Sequence, residues 1–224
     1  MADVGGAASA IGKRRATARA EGSAGYQQRR GEILAVAGRL FKEKGFHGIR
    51  LGDVAAELGT DRASLYYYVS SREELFQEIV RGAVENNVER AETIRKGPEQ
   101  APDKVSALIE SLMDSYRTHF PYLYVYIQED LTRITDDVNS EWARDMRRLN
   151  RRYDEAVIGI IEEGLHDGTI RAVGSARTIA FGLIGMVNWT HRWFEPSEDE
   201  DAALRIGQTF SAMLLDGVRA ADAK

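Results

Sequence analysis

This 224-residue sequence predicts an all-α chain of about nine helices, with a three-helix helix-turn-helix module followed by a larger helical body. Three observations lead there. Apolar residues recur at 3- and 4-residue spacing along most of the chain, with few stretches of strand-like alternation. All four prolines, Pro98, Pro102, Pro121 and Pro196, fall at boundaries between periodic segments, where helices tolerate them. Two short helical segments joined by a tight turn follow a longer helix between residues 28 and 69.

Taken in order, residues 1–25 are rich in Gly, Ala and Ser and carry a basic cluster at Lys13, Arg14, Arg15 and Arg19, so disorder is expected there. The first helix is expected from about Gln28 to Lys44, with Ile33, Val36, Ala37, Leu40 and Phe41 as its apolar stripe. Gly45 is placed to end it in a left-handed cap. A short helix over Leu51 to Leu58 puts Leu51, Val54, Ala55 and Leu58 on one face. Gly59 and Thr60 make the turn, and Asp61 is an N-cap for a third helix that ends near Val69. Ser71 to Glu74 reads as a capping box opening a longer helix with Leu75, Phe76, Ile79 and Val80 apolar. Beyond Pro98, helices are expected at roughly 102–119, 121–135, 139–165, 175–194 and 199–219.

Composition narrows the function class. Without cysteine there is no disulfide framework, thiol nucleophile or thiolate metal site. No apolar run approaches a membrane span, and the N-terminus lacks the apolar core of a secretory signal, so a cytoplasmic location is expected. The net charge of −5 argues against a nucleic-acid partner until its distribution is considered. The first 50 residues carry 10 Lys/Arg against 4 Asp/Glu; residues 1–81 are net +3 and the remainder net −8. A basic head on an acidic body suits a chain whose head alone meets phosphate.

The helix-turn-helix supplies the chemistry for that contact. Leu65 and Val69, at i and i+4, anchor the third helix and turn the intervening side chains outward. Arg62 suits guanine, Ser64 can bond several bases, and Ala63 can touch a thymine methyl. In the run Tyr66-Tyr67-Tyr68, neighbours lie about 100° apart, so the three cannot share one core. Tyr66 is expected to be partly packed, while Tyr67 and Tyr68 face phosphate. Arg72 adds a phosphate contact. The basic arm has two readings, a groove-following arm or a tail without a fixed partner.

The run RRGEILAVAGRLFKEKGFHGIRLGDVAAELGTDRASLYYYVSSREELF resembles the DNA-binding domain of the TetR family of transcriptional regulators. The likeness is carried by Ile33, Leu34, Ala37, Leu40, Phe41, Gly45, Phe46, Asp53, Val54, Ala55, Gly59, Leu65, Tyr66, Ser71, Glu73, Glu74 and Leu75. Three positions depart from the pattern. Arg50 replaces the usual hydroxyl at the start of the second helix and is assigned to a phosphate, Gly52 removes a side chain that contacts DNA in some members, and Tyr68 stands where His is common. The resemblance implies an arm over 1–25, a DNA-binding domain over 26–72, and a ligand-binding and dimerisation domain over 73–224.

It further implies a homodimer on palindromic double-stranded operator DNA, released by a small hydrophobic effector. Segments 175–196 and 201–218 carry Gly182, Gly185, Leu204, Gly207, Phe210, Ser211, Met213 and Leu214, which suit a four-helix interface between subunits. Tyr116, His119, Phe120, Tyr122, Tyr124, Tyr126, Met186, Asn188 and Trp189 are the candidates for the effector pocket, apolar walls with a few polar tips. The arginine-dense segment 143–153, with Arg148, can hold phosphates of a CoA thioester. This segment and GMVNWTHRWFEP resemble members that govern fatty-acid or steroid catabolism and respond to acyl-CoA. No nucleophile elbow, zinc motif, phosphate loop or dinucleotide fingerprint is present, so neither enzymatic activity, a cofactor nor a metal is expected. The alternative reading is a TetR-like activator, or a regulator with a different or no small-molecule effector.

Overall fold

The computed structural model describes residues 24–45, 48–128, 140–196, 199 and 201–216. Among them are nine α-helices and no strand: α1 (Ala24–Lys44), α2 (Leu51–Glu57), α3 (Arg62–Tyr68), α4 (Arg72–Lys96), α5 (Ala101–Thr118), α6 (Tyr122–Gln128), α7 (Glu141–Asp167), α8 (Ala176–Asn188) and α9 (Ala202–Leu215). A 3-10 turn, Trp189–Arg192, follows α8. The basic cluster at residues 13–19, Phe46, and the expected helical residues 129–135, 139 and 217–219 lie outside the described residues. The chain divides into two compact units, residues up to Val80 and residues from Arg81 onward.

In the first unit, α1 begins at Ala24, before the expected Gln28. Its buried face runs Tyr26, Arg30, Ile33, Ala37, Leu40 and Phe41, so the helical period continues through residues whose polarity hides it in the sequence. The Arg30 guanidinium, 4% exposed, donates to both oxygens of Glu78 and, at 2.6 Å, to the Tyr68 carbonyl. Glu74 lies 3.7 Å away. Tyr68 closes α3 and Glu78 sits in α4, so one planar donor joins three helices through its fork of N–H groups.

The helix ends in this unit are capped mostly by their own side chains. Gly45 takes φ +70°, the left-handed conformation that glycine adopts without a Cβ penalty, and its N–H reaches the Phe41 carbonyl at 2.9 Å. At α2, the Asp53 carboxylate accepts from the Arg50 N–H at 2.8 Å, supplying a cap from inside the helix that Arg50 cannot supply from outside. Asp61 accepts from the Ser64 N–H at 2.8 Å. At α4, Ser71 Oγ accepts from the Glu74 N–H at 3.0 Å, but the Glu74 carboxylate accepts from the N–H and hydroxyl of Ser70. Half of the expected capping box is therefore displaced by one residue, which ties the segment leaving α3 to the first turn of α4.

The second unit is built on α5, which buries Val105, Leu108, Ile109, Leu112, Met113 and Tyr116. Helices α7, α8 and α9 all pack on α5. Lys104 Nζ, from α5, donates to both Glu163 oxygens of α7 at 2.8 and 2.9 Å. Nearby, a Cβ on Gly164 would come within 2.6 Å of Ile170 and 2.7 Å of Ala101, so this glycine lets α7 approach the start of α5. Ser140 and Ser175 cap α7 and α8 by accepting from the N–H groups of Ala143 and Thr178 at 3.2 and 3.1 Å. The expected single helix over 175–194 instead tightens into the 3-10 turn after Asn188. Its Thr190 hydroxyl, fully buried, donates to the Val187 carbonyl at 2.7 Å and pairs with the Tyr124 hydroxyl at 2.9 Å. Tyr124 in turn packs edge-on against Tyr116, Phe120 and Phe194. No helix among the described residues is long and apolar enough to cross a membrane.

Two predictions follow from this packing. Replacing Arg30 with leucine strands the Glu78 carboxylate and the Tyr68 carbonyl, and should cost the first unit about 3 kcal/mol in urea unfolding; a loss within experimental error would show that the clamp is not structural. Burial pushes the Tyr122 and Tyr124 phenols from 10.0 up to about 12. Their raised folded-state values contribute stability below pH 10 that is lost as pH rises toward 12. Helix loss by circular dichroism should therefore coincide with the delayed part of the tyrosinate absorbance that Tyr122→Phe and Tyr124→Phe remove, whereas ionisation of that part near pH 10 with the helices intact would contradict the assignment.

Candidate nucleic-acid interface and effector cavity

The outward face of α3 is built by two buried anchors, Leu65 at 1% and Val69 at 0% exposure. They hold the helix so that Arg62, Ala63, Ser64, Tyr66 and Tyr67 are exposed. The tyrosines divide differently from expectation. Tyr66 is 38% and Tyr67 37% exposed, while Tyr68 is half-buried and stacks on Tyr26 at 5.1 Å. Tyr67 meets both rings edge-on, at 5.8 Å to Tyr26 and 5.0 Å to Tyr68. The cause is the early start of α1: Tyr26, expected to precede the first helix, covers Tyr68 and leaves Tyr66 outside.

Local chemistry sets what each exposed group has to offer. The Ser64 hydroxyl donates to Asp61 at 2.7 Å, so its proton is engaged and its lone pairs are what it presents outward. A Cβ on Gly52 would lie 3.6 Å from Arg62 Nε, so the Arg62 side chain lies across the place where α2 lacks one. The missing Gly52 side chain and the Arg62 fork are thus one arrangement. Arg50 is exposed, and its guanidinium makes no hydrogen bond or ion pair with the described residues, its backbone alone bonding to Asp53. Arg72 is partly buried and bonded to Glu73 at 2.8 and 3.2 Å.

The second unit contains a partly open cavity of about 510 Å³, a size suited to a small organic molecule. Val84, Leu112, Leu123, Ile127 and Ile184 provide apolar wall, and Asn87, Tyr116, Tyr126, Asn150, Tyr153, Asp154 and Asn188 provide polar atoms. Tyr116 donates to the Asn188 side-chain amide oxygen, and Asn150 donates to the Tyr126 hydroxyl at 2.9 Å. Burial raises the Tyr116, Tyr126 and Tyr153 phenols above their ordinary value. Burial also raises the Asp154 carboxyl, against the opposing field of Arg177.

Of the pocket residues expected from sequence, Tyr116, Tyr126 and Asn188 line this cavity; His119, Phe120, Tyr122, Tyr124, Arg148, Met186 and Trp189 are not among its lining. His119 closes α5, with its Nδ1 2.9 Å from the Ser115 carbonyl. Phe120 and Tyr124 belong to the aromatic cluster around Thr190. Arg148 is exposed and paired with Asp145 at 3.1 Å. Trp189 is 61% exposed, because the 3-10 turn rotates it away from the face of α8 that carries Asn188. The lining residues Asn87, Asn150, Tyr153 and Asp154 were missed. Asn87 had a legible signal, since Val80, Ala83, Val84 and Asn87 share i, i+3, i+4, i+7 spacing and only the last is polar.

A third surface is apolar. Phe181, Trp189, Leu204 and Met213 are 39%, 61%, 42% and 46% exposed on α8, the 3-10 turn and α9, and a Cβ on Gly182 or Gly185 would meet nothing within 4 Å. Gly207 and Ser211 turn the other way and are buried; a Cβ on Gly207 would lie 3.3 Å from Glu110 of α5.

Known proteins share both the sequence pattern and the fold. The family model described as bacterial regulatory proteins of the tetR family matches residues 33–79, and the tetracyclin repressor-like C-terminal domain matches residues 98–218. The chain is 23% identical over 191 residues to the transcriptional repressor KstR2 of Mycobacterium tuberculosis, covering 85% of this chain and 92% of that one. A TetR/AcrR-family regulator from Thermobifida fusca is similar in structure with a TM-score of 0.73 and 27% identity, over 86% of this chain and all (100%) of that one. AibR, solved in complex with isovaleryl coenzyme A and operator DNA, has the same fold at a TM-score of 0.67 and 20% identity, over 84% of this chain and 98% of that one. Two matched models that together span the helix-turn-helix and most of the helical body, on a chain with an exposed third helix and a body cavity, make this protein a member of the TetR family of transcriptional regulators, DNA-binding proteins and not enzymes.

Proposed function

We propose that the protein is a repressor that binds a palindromic operator as a homodimer and is released by a small hydrophobic effector of the acyl-CoA class. The observation that carries this reading is the face of α3: two fully buried anchors present Arg62, Ala63, Ser64, Tyr66 and Tyr67 to solvent together. Arg62 and Ser64, in the first turn, are assigned to base edges, and Ala63 to a thymine methyl. Tyr66, Tyr67 and Arg50 are assigned to phosphate oxygens. Arg72 and Tyr68 have secondary parts, Arg72 through an exchange of its bond to Glu73 and Tyr68 by holding Tyr67 in place.

The exposed apolar face of α8 and α9 supports the dimer. Phe181, Trp189, Leu204 and Met213 interleave with open glycine positions, which suits close packing of a symmetry mate. Two copies would set two α3 helices in successive major grooves about 34–36 Å apart. Helix α4 contributes Glu74 and Glu78 to the first unit and Val84 and Asn87 to the cavity, so an effector that prefers one setting of α4 shifts the population away from the operator-bound state. The repressor and acyl-CoA assignments are supported by the likeness to KstR2 and by the shared fold of AibR, which holds isovaleryl coenzyme A.

Selection from a randomised duplex library followed by gel shift tests the reading. A palindromic site whose affinity falls steeply with salt is expected; no selected site, with a flat salt dependence, would refute it. On that site, Tyr67→Phe should weaken binding to all sequences alike, and Arg62→Ala should cost about 1–3 kcal/mol and relax preference at one position. The 25.0 kDa chain should sediment as a dimer, and the Leu204→Asp, Met213→Asp variant as a monomer with unchanged helix content. A variant that remains dimeric would place the interface elsewhere.

A further inference from the structure

The cavity is lined by two kinds of polar group. Tyr116 with Asn188, and Tyr126 with Asn150, bond to each other. Asn87, Tyr153 and Asp154 do not. Asn87 Oδ1 is buried with no hydrogen-bond partner among the described residues. The Tyr153 hydroxyl and the Asp154 carboxylate likewise make no hydrogen bond or ion pair among them. The Asn87 Oδ1 atom and the Asp154 carboxylate are acceptors, and the Tyr153 hydroxyl can act either way. Among the described lining residues there is no Lys, Arg or His.

An acceptor held away from water without a donor is costly, and Asn87 Oδ1 is one. Its position in a ligand-sized cavity points to a donor that arrives with the ligand. The single carboxylate repels a second anion brought into the same low-dielectric space. Arg177 already lies close enough to oppose the burial of Asp154, so the site wants a donor more than a second full positive charge.

Resting on the effector reading above, we propose that the part of the effector entering this cavity is an apolar, uncharged chain or ring bearing a hydroxyl, which donates to Asp154 or Asn87 and is met by Tyr153. The cavity therefore rejects a free carboxylic acid. If the effector is a CoA thioester, its acyl group carries the hydroxyl and enters, and its phosphates remain outside.

The full chain, without DNA, is titrated with 1-decanol, methyl decanoate, decanoate and decylamine, followed by tryptophan fluorescence, since the Trp142 ring packs 6.2 Å from the lining residue Tyr126. Decanol should bind about tenfold or more tighter than methyl decanoate, which only accepts hydrogen bonds, with decanoate weaker still. Asp154→Asn should narrow the gap between decanol and decanoate by about tenfold, and Asn87→Leu should weaken decanol selectively. Decanoate binding as well as decanol, decylamine binding better than decanol, or no measurable binding of decanol would each overturn the proposal. The wild-type ranking needs no variant to fold, and it involves no operator. A wrong ranking beside intact operator selection sinks this inference alone; failed operator selection sinks the repressor reading.

Discussion

The Arg30 guanidinium is the constraint on which the helix-turn-helix unit depends. It is nearly inaccessible to water, and it donates to the Glu78 carboxylate and the Tyr68 carbonyl together. Burying such a cation is tolerable only because its fork is filled on one side by an anion and on another by the last carbonyl of a helix. Leucine at this place would pack, but it would not specify where α3 ends. The guanidinium sets α1, α3 and α4 in one register, and Glu74, accepting from Ser70, holds the chain between α3 and α4 to the same turn. The rotation of α3, and hence which side chains reach solvent, follows from these polar contacts as much as from Leu65 and Val69.

That rotation explains the tyrosines. Three consecutive aromatic residues on a helix must point three ways, and apolar anchoring alone leaves the choice between Tyr66 and Tyr68 open. Tyr26 makes the choice by stacking on Tyr68. The outward pair, Tyr66 and Tyr67, then stands beside Arg62, whose side chain lies over Gly52. A departure that looked in the sequence like a lost contact in α2 is in three dimensions the room for an arginine from α3.

The body follows a different logic. Its helices are held by apolar stripes and by isolated polar ties such as Lys104 to Glu163 and Tyr124 to Thr190, which are satisfied within the chain. The cavity breaks that pattern, since Asn87, Tyr153 and Asp154 are left with hydrogen-bonding capacity. Buried polar groups are ordinarily satisfied, so unfilled acceptors gathered around one space mark that space out from the packed helices about it. Meanwhile Trp189 and Met213, apolar yet exposed, are spent on a surface and not on the cavity.

The sequence by itself determined the all-α class, nearly every helix, the helix-turn-helix and the family, because helical period, capping residues and turn glycines act over a few neighbouring positions. It also separated the exposed from the anchoring residues of α3 in outline. Only the tertiary structure decided that α1 starts at Ala24, since Tyr26 and Arg30 read as polar until their partners on α3 and α4 are in place. It alone decided which aromatic residues line the cavity. His119, Phe120 and Tyr124 share a stretch with Tyr116, yet a cap and a buried threonine draw them elsewhere, while Asn150, Tyr153 and Asp154 come from a segment whose arginines mask them. Periodicity says which face of a helix is buried. It does not say whether that face meets another helix or an empty space, because this depends on where distant helices cross.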